Sequence, residues 1–144
     1  MKKILFALLA VFMFSSCGNN QNAKAQSTNQ TAQQEYIEVL DFHGKQRCVT
    51  CLAIEKLTKE VVENEFAQQV KDGKVVFKSI DISTKEGEKI ADKYEVTWSS
   101  LFVNKWKDGK ENINNMTDFG FSYAKNSPEV FKEGVKKKID ELLN

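Results

Sequence analysis

Proline and histidine are nearly absent from this sequence: Pro128 and His43 are the only ones in 144 residues. With no proline before position 128, a cis peptide there would cost about 2.5–4 kcal/mol, so trans bonds are expected. A c-type haem is excluded because Leu52, not His, follows Cys51. Long apolar runs are missing too, since Ile4–Phe14, at eleven residues, is too short to span a bilayer as a mature helix. Charge of one sign is also lacking. With 21 basic and 20 acidic side chains, no electrostatic footprint marks a nucleic-acid partner. The chain has no internal repeat and no flavin or nicotinamide fingerprint, so no cofactor is expected beyond a redox-active disulfide.

What the sequence does have begins at its N-terminus. Lys2 and Lys3 precede the apolar run, which reads as a cleaved secretory signal over residues 1–16. Phe14-Ser15-Ser16-Cys17 resembles the lipobox of bacterial lipoproteins, which implies a lipidated Cys17 and an envelope protein facing the periplasm. Cleavage there takes the basic count from 21 to 19 and leaves 20 acidic groups, a net charge of −1. Residues 17–34 are then the lipidated cysteine and a polar tether, with an r.m.s. span of about 20–25 Å as a random coil. The sequons at Asn29 and Asn115 carry little weight in a chain of bacterial character. Three Cys is an odd number, and assigning Cys17 to lipid leaves Cys48 and Cys51 as a pair. Two Cys and one His are too few for a structural zinc, which takes about four ligands.

Residues 35–144 read as one α/β domain. Tyr36–Phe42 is a buried central strand, with Ile37, Val39, Asp41 and His43 on one face and Tyr36, Glu38, Leu40 and Phe42 on the other. A helix starting near Leu52 follows through Ile54, Leu57, Val61, Phe66 and Val70 to Asp72-Gly73, with Glu63-Asn64-Glu65 as its weak point. Residues 74–82 form a second strand. Ser83 with Glu86 reads as a capping box for a helix carrying Ile90, Ala91 and Tyr94. Residues 101–106 are a third strand, and Asp108-Gly109 is a hairpin signal leading to a fourth over 111–118. Ser127-Pro128 opens a last helix with Phe131, Val135, Ile139 and Leu142 on one stripe. The order β-α-β-α-β-β-α, with crossover helices and a terminal hairpin, predicts a central mixed sheet.

Cys48-Val49-Thr50-Cys51 falls at the junction of the first strand and helix, which suits a dithiol/disulfide site. At a helix N-terminus the unpaired N–H groups and macrodipole favour a thiolate, so Cys48 is the expected attacking residue. Cys51, one turn on, is the expected resolving residue. Arg47 and Lys45 add positive charge beside Cys48. Thr50 has a hydroxyl either for the Cys48 sulfur or for the helix terminus, and His43 either tunes the thiolate or caps the turn.

Leu40-Asp41-Phe42 before this site resembles the Val-Asp-Phe of thioredoxins, and Tyr94–Leu101 resembles their cis-proline segment, with Ser100 in the proline's place. The loop from Asp41 to Cys48 is one residue longer than in thioredoxins. More narrowly, His43-Gly44, Arg47–Cys51 and Ile54-Glu55 are similar to thioredoxin-like lipoproteins labelled nitrophenyl compound nitroreductase subunits. The resemblance covers residues 35–144 and implies a thioredoxin-like fold. It also implies that Asp41 relays a proton to or from Cys51, the other reading being an Asp at the turn. Trp98, Ser99 and Ser100 would border the substrate, although Trp98 reads more simply as a core residue. The implied activity is enzymatic thiol–disulfide exchange between an upstream dithiol donor and a protein disulfide or small-molecule acceptor. The missing proline keeps open metal or metalloid capture by Cys48 and Cys51 with His43. A non-catalytic interaction module is the third reading.

Overall fold

A computed structural model describes residues 35–144. The expected signal segment 1–16, Cys17 and the tether to residue 34 lie outside the described residues. Strand β1 (Tyr36–His43) runs into helix α1 (Val49–Glu65) and short helix α2 (Ala67–Lys71). Strand β2 (Val75–Asp81), helix α3 (Lys85–Lys93) and the hairpin β3 (Ser100–Lys107) with β4 (Lys110–Asn112) follow. Helices α4 (Thr117–Tyr123) and α5 (Pro128–Leu143) complete the chain.

The sheet order is β2-β1-β3-β4, with β1 parallel to β2 and antiparallel to β3. A parallel pair joined through helices, extended by an antiparallel hairpin, is the thioredoxin-like arrangement. Alternation along β1 divides the core between two faces. Ile37 and Val39 pack with Ile54, Val61 and Val62 of α1 and with Phe131, Val135 and Ile139 of α5. Leu40 and Phe42 pack on the other side with Ile80, Ala91, Val96 and Phe102. Glu38 shares that side and is buried, but its carboxylate accepts from Lys78 Nζ (2.5 Å) and Trp106 Nε1 (2.9 Å), which offsets its desolvation.

Four local expectations are corrected. The first helix starts three residues earlier, at Val49, because Cys48 is its N-cap, and it breaks at Phe66 just after the acidic patch. Thr84, not Ser83, caps α3: its Oγ1 accepts from Gly87 N (3.0 Å), while the Ser83 hydroxyl donates to Asp81 (2.6 Å). Ile90 of that helix is exposed, and only Ala91 of the expected stripe and the capping-turn Gly87 are buried. Thr84→Ala should therefore cost about 1 kcal/mol and Ser83→Ala much less, a difference that paired denaturant titrations resolve.

The fourth strand is three residues long rather than eight. Asp108 and Gly109, at φ +53° and +72°, form the expected two-residue turn. Beyond Asn112 regular pairing gives way to a single bridge, Asn115 opposite Phe102, with Val103 N donating to the Asn114 carbonyl (2.9 Å) and Met116 N to the Leu101 carbonyl (2.8 Å), and side chains take the other partners. Asn104 Oδ1 accepts from Asn114 N (3.0 Å), and Asn115 Oδ1 accepts from Thr117 N (2.8 Å). The latter closes an Asx turn that starts α4 where a strand was expected. Ser127 holds the N-cap position of α5 with Pro128 following, but its side chain makes no capping bond.

Candidate functional site

The C-terminal end of β1 carries the site. Its last residues, Asp41, Phe42 and His43, lie beside Ser79, Ile80 and Asp81 of β2, and Phe42 lies opposite Ser100 of β3. The turn 44–47 then brings the chain to the N-terminus of α1. Cys48 caps the helix: its Sγ accepts from Cys51 N at 3.0 Å and its carbonyl from Leu52 N at 3.0 Å. The two cysteines form a disulfide with Cα atoms 5.0 Å apart. Cys48 is exposed, whereas Cys51 is 9% exposed, so an external sulfur reaches the first and not the second.

Asp41, near the end of β1, is buried in the sheet. Burial, reinforced by the negative charge of Glu55 and opposed by Arg47, raises its carboxyl to about 7. Asp41 thus gives up or takes a proton near neutrality, as an acid–base group for a thiol must. Arg47 pairs with carboxylates, Glu55 at 2.7 Å and Asp41 at 3.4 Å. Its Nε is buried without a partner. Burial pushes Glu55 up, but the Ser79 hydroxyl (2.6 Å) and Arg47 outweigh it and leave Glu55 below the ordinary carboxylate range.

The Cys48 sulfur accepts from the Cys51 amide. His43 is half-buried, with Nδ1 3.3 Å from the Gly44 carbonyl oxygen. Lys45 is exposed, and its charge acts on Asp81. Among the described residues no three His, Cys, Asp or Glu side chains converge as a metal site.

No cis peptide occurs among the described residues, so Ser100 follows a trans bond. Its hydroxyl donates to the Trp98 carbonyl (3.2 Å), folding the loop on itself. The core reading of Trp98 is overturned: the indole is 57% exposed and stacks on Phe121 of α4, with centroids 5.1 Å apart. Ser99 is half-buried beside it. Phe121 belongs to the helix whose Gly120 sits against Ile54 of α1, one turn after Cys51; a Cβ there would lie 3.1 Å from Ile54 Cδ1. The Trp98 loop, α4 and the start of α1 therefore adjoin, and Val49 and Leu52 add exposed apolar surface next to Cys48.

Sequence reasoning missed the roles of Glu55, Ser79 and Phe121. Glu55 appeared only as part of a motif, and nothing local to residues 47, 55 and 79 announces their contact. Among the described residues, no helix is long and apolar enough to cross a membrane.

No protein-family model and no curated protein matches the sequence. Among solved structures, the chain is similar to a thioredoxin from Thermus thermophilus at 16% identity and a TM-score of 0.42, over 69% of this chain and 73% of that one. A structure described as a malarial protein is similar at 13% identity and a TM-score of 0.42, over 69% of this chain and 96% of that one.

Proposed function

We propose that this chain is a thiol–disulfide oxidoreductase of the bacterial cell envelope, held on the membrane through a lipidated Cys17. The observation that carries the reading is an exposed cysteine at a helix N-terminus, bonded to a buried cysteine one turn into the helix that follows the strand carrying the buried Asp41. An upstream dithiol reduces the Cys48–Cys51 bond. The Cys48 thiolate then attacks a partner disulfide, whose departing sulfur takes the electron pair and a proton from solvent. Cys51 next passes its proton to the Asp41 carboxylate and attacks the Cys48 sulfur. The reduced partner leaves, and two electrons have passed to it as the Cys48–Cys51 bond re-forms.

Trp98, with Phe121 behind it, and Ser99 form the surface that meets the acceptor, alongside Val49 and Leu52. The acceptor is a protein disulfide or a small molecule. The narrower likeness to nitroreductase-subunit lipoproteins rests on residues that include Arg47 and Glu55, and their pairing supplies a physical reason for both to occur in one motif.

A Cys51→Ala variant keeps the attacking thiol and loses the resolving one. Expressed in its envelope, it should accumulate mixed disulfides through Cys48 that a reductant releases. If no partner is trapped while Cys48 remains free and reactive, the oxidoreductase reading falls.

A further inference from the structure

Two carboxylates share one guanidinium at the junction of β1 and α1. Arg47 Nη2 lies 2.7 Å from Glu55 Oε2 and 3.4 Å from Asp41 Oδ2, and Glu55 Oε1 accepts from the Ser79 hydroxyl at 2.6 Å. Ser79 is the register neighbour of Asp41, so β1, β2, the turn and α1 each contribute one group to a closed cluster. Glu55 holds the guanidinium at the closer distance and is kept ionised by two donors, so Asp41 is left with the weaker share. The immediate strand neighbours of Asp41, Ser79 on β2 and Leu101 on β3, bear no charge. Arg47 from the turn and Glu55 from α1 are the two charges acting on it, while His43 acts on Glu55.

We propose that Glu55, by holding the Arg47 guanidinium, is a positioning residue that keeps the proton on Asp41 for delivery to Cys51. Glu55 holds the guanidinium at the closer distance and so weakens, without abolishing, its stabilisation of the ionised Asp41. The proposal rests on the reading of Cys48 and Cys51 as a working dithiol. When an external thiolate attacks Cys48 Sγ, the Cys48–Cys51 bond breaks. The Cys51 sulfur leaves with the electron pair and takes the Asp41 proton, so the disulfide is reduced and the attacking thiol becomes a mixed disulfide.

Dithiothreitol tests this without any physiological partner. Its attack on the disulfide of the full chain is followed across the neutral range and normalised to the dithiothreitol thiolate fraction. The normalised rate should fall as pH rises, with an inflection near the Asp41 value of about 7. Glu55→Gln frees the guanidinium for Asp41 and should move the inflection down by about one pH unit. Arg47→Met should move it up by about one unit, and Arg47→Lys, which keeps the charge, should recover most of that shift. A merely structural pair would change the rate or the folding without opposed shifts.

An unmoved inflection in Glu55→Gln, or shifts of both single variants in one direction, overturns the proposal; so does persistence of the inflection in Asp41→Asn. Glu55 is partly exposed and its Gln variant isosteric, so that arm decides even if Arg47→Met does not fold. Failure of the oxidoreductase reading would register separately, as absence of trapped partners with dithiothreitol behaviour intact.

Discussion

Asp41→Asn should be markedly more stable than the native chain above pH about 7 and nearly equal to it below about 4. The folded carboxyl is raised from 3.8 to about 7, chiefly by burial and secondarily by Glu55. Between those values the unfolded chain has released the proton and the folded chain still holds it, so stability falls as pH rises through this window. At 1.36 kcal/mol per unit, a displacement of about three units makes the full loss about 4 kcal/mol. Asparagine keeps the shape and cannot ionise, so it removes the loss. Arg47 is not orphaned by the change, because its 2.7 Å partner is Glu55. Urea titrations of both proteins in the oxidised state, at acid and at alkaline pH, check this. A constant difference across pH would mean that Asp41 ionises in the folded protein much as it does in the unfolded chain.

Gly87→Ala should destabilise the domain by about 3 kcal/mol, against the usual gain for such a change in a helix. In an open helical position alanine would be favoured by roughly 1 kcal/mol. Here a Cβ would lie 2.0 Å from the Asp81 carbonyl oxygen and 2.7 Å from its carbon, both backbone atoms at the end of β2. Neither can rotate away, so the first turn of α3 must lift from the sheet. That movement breaks the bond from Gly87 N to Thr84 Oγ1 and opens the cluster of Ala91, Val96, Phe42 and Phe102. Thermal unfolding should show the loss, and a control Gly44→Ala, with open space at its Cβ, should be close to neutral. Equal effects at both sites would mean that backbone freedom, not contact, is the cause.

The capping turn shows where local reading stops. Ser83-x-x-Glu86 and Thr84-x-x-Gly87 are one residue apart, and pattern favours the first. Gly87 wins because α3 must start where its chain can lie against Asp81, a requirement visible only once β2 is in place. The strand expected over 111–118 is cut to Lys110–Asn112 and one bridge at Asn115 for a different reason. Its apolar residues suit a strand, but Asn112, Asn114 and Asn115 form a turn cluster whose side chains compete for backbone donors, a signal present in the sequence and underweighted.

By itself the sequence determined the β-α-β order, the two faces of the central strand, the Asp108-Gly109 hairpin and the place of Cys48 and Cys51 at a helix start. Each depends on periodicity or turn chemistry within about ten residues, where neighbouring side chains settle the backbone. Only the tertiary structure decided that Arg47 reaches Asp41 and Glu55, and that Trp98 is exposed over Phe121. Those outcomes join residues from β1, α1, β2 and α4, and long-range contacts are chosen by burial and charge in three dimensions. No spacing along the chain encodes which buried carboxylate a guanidinium will reach.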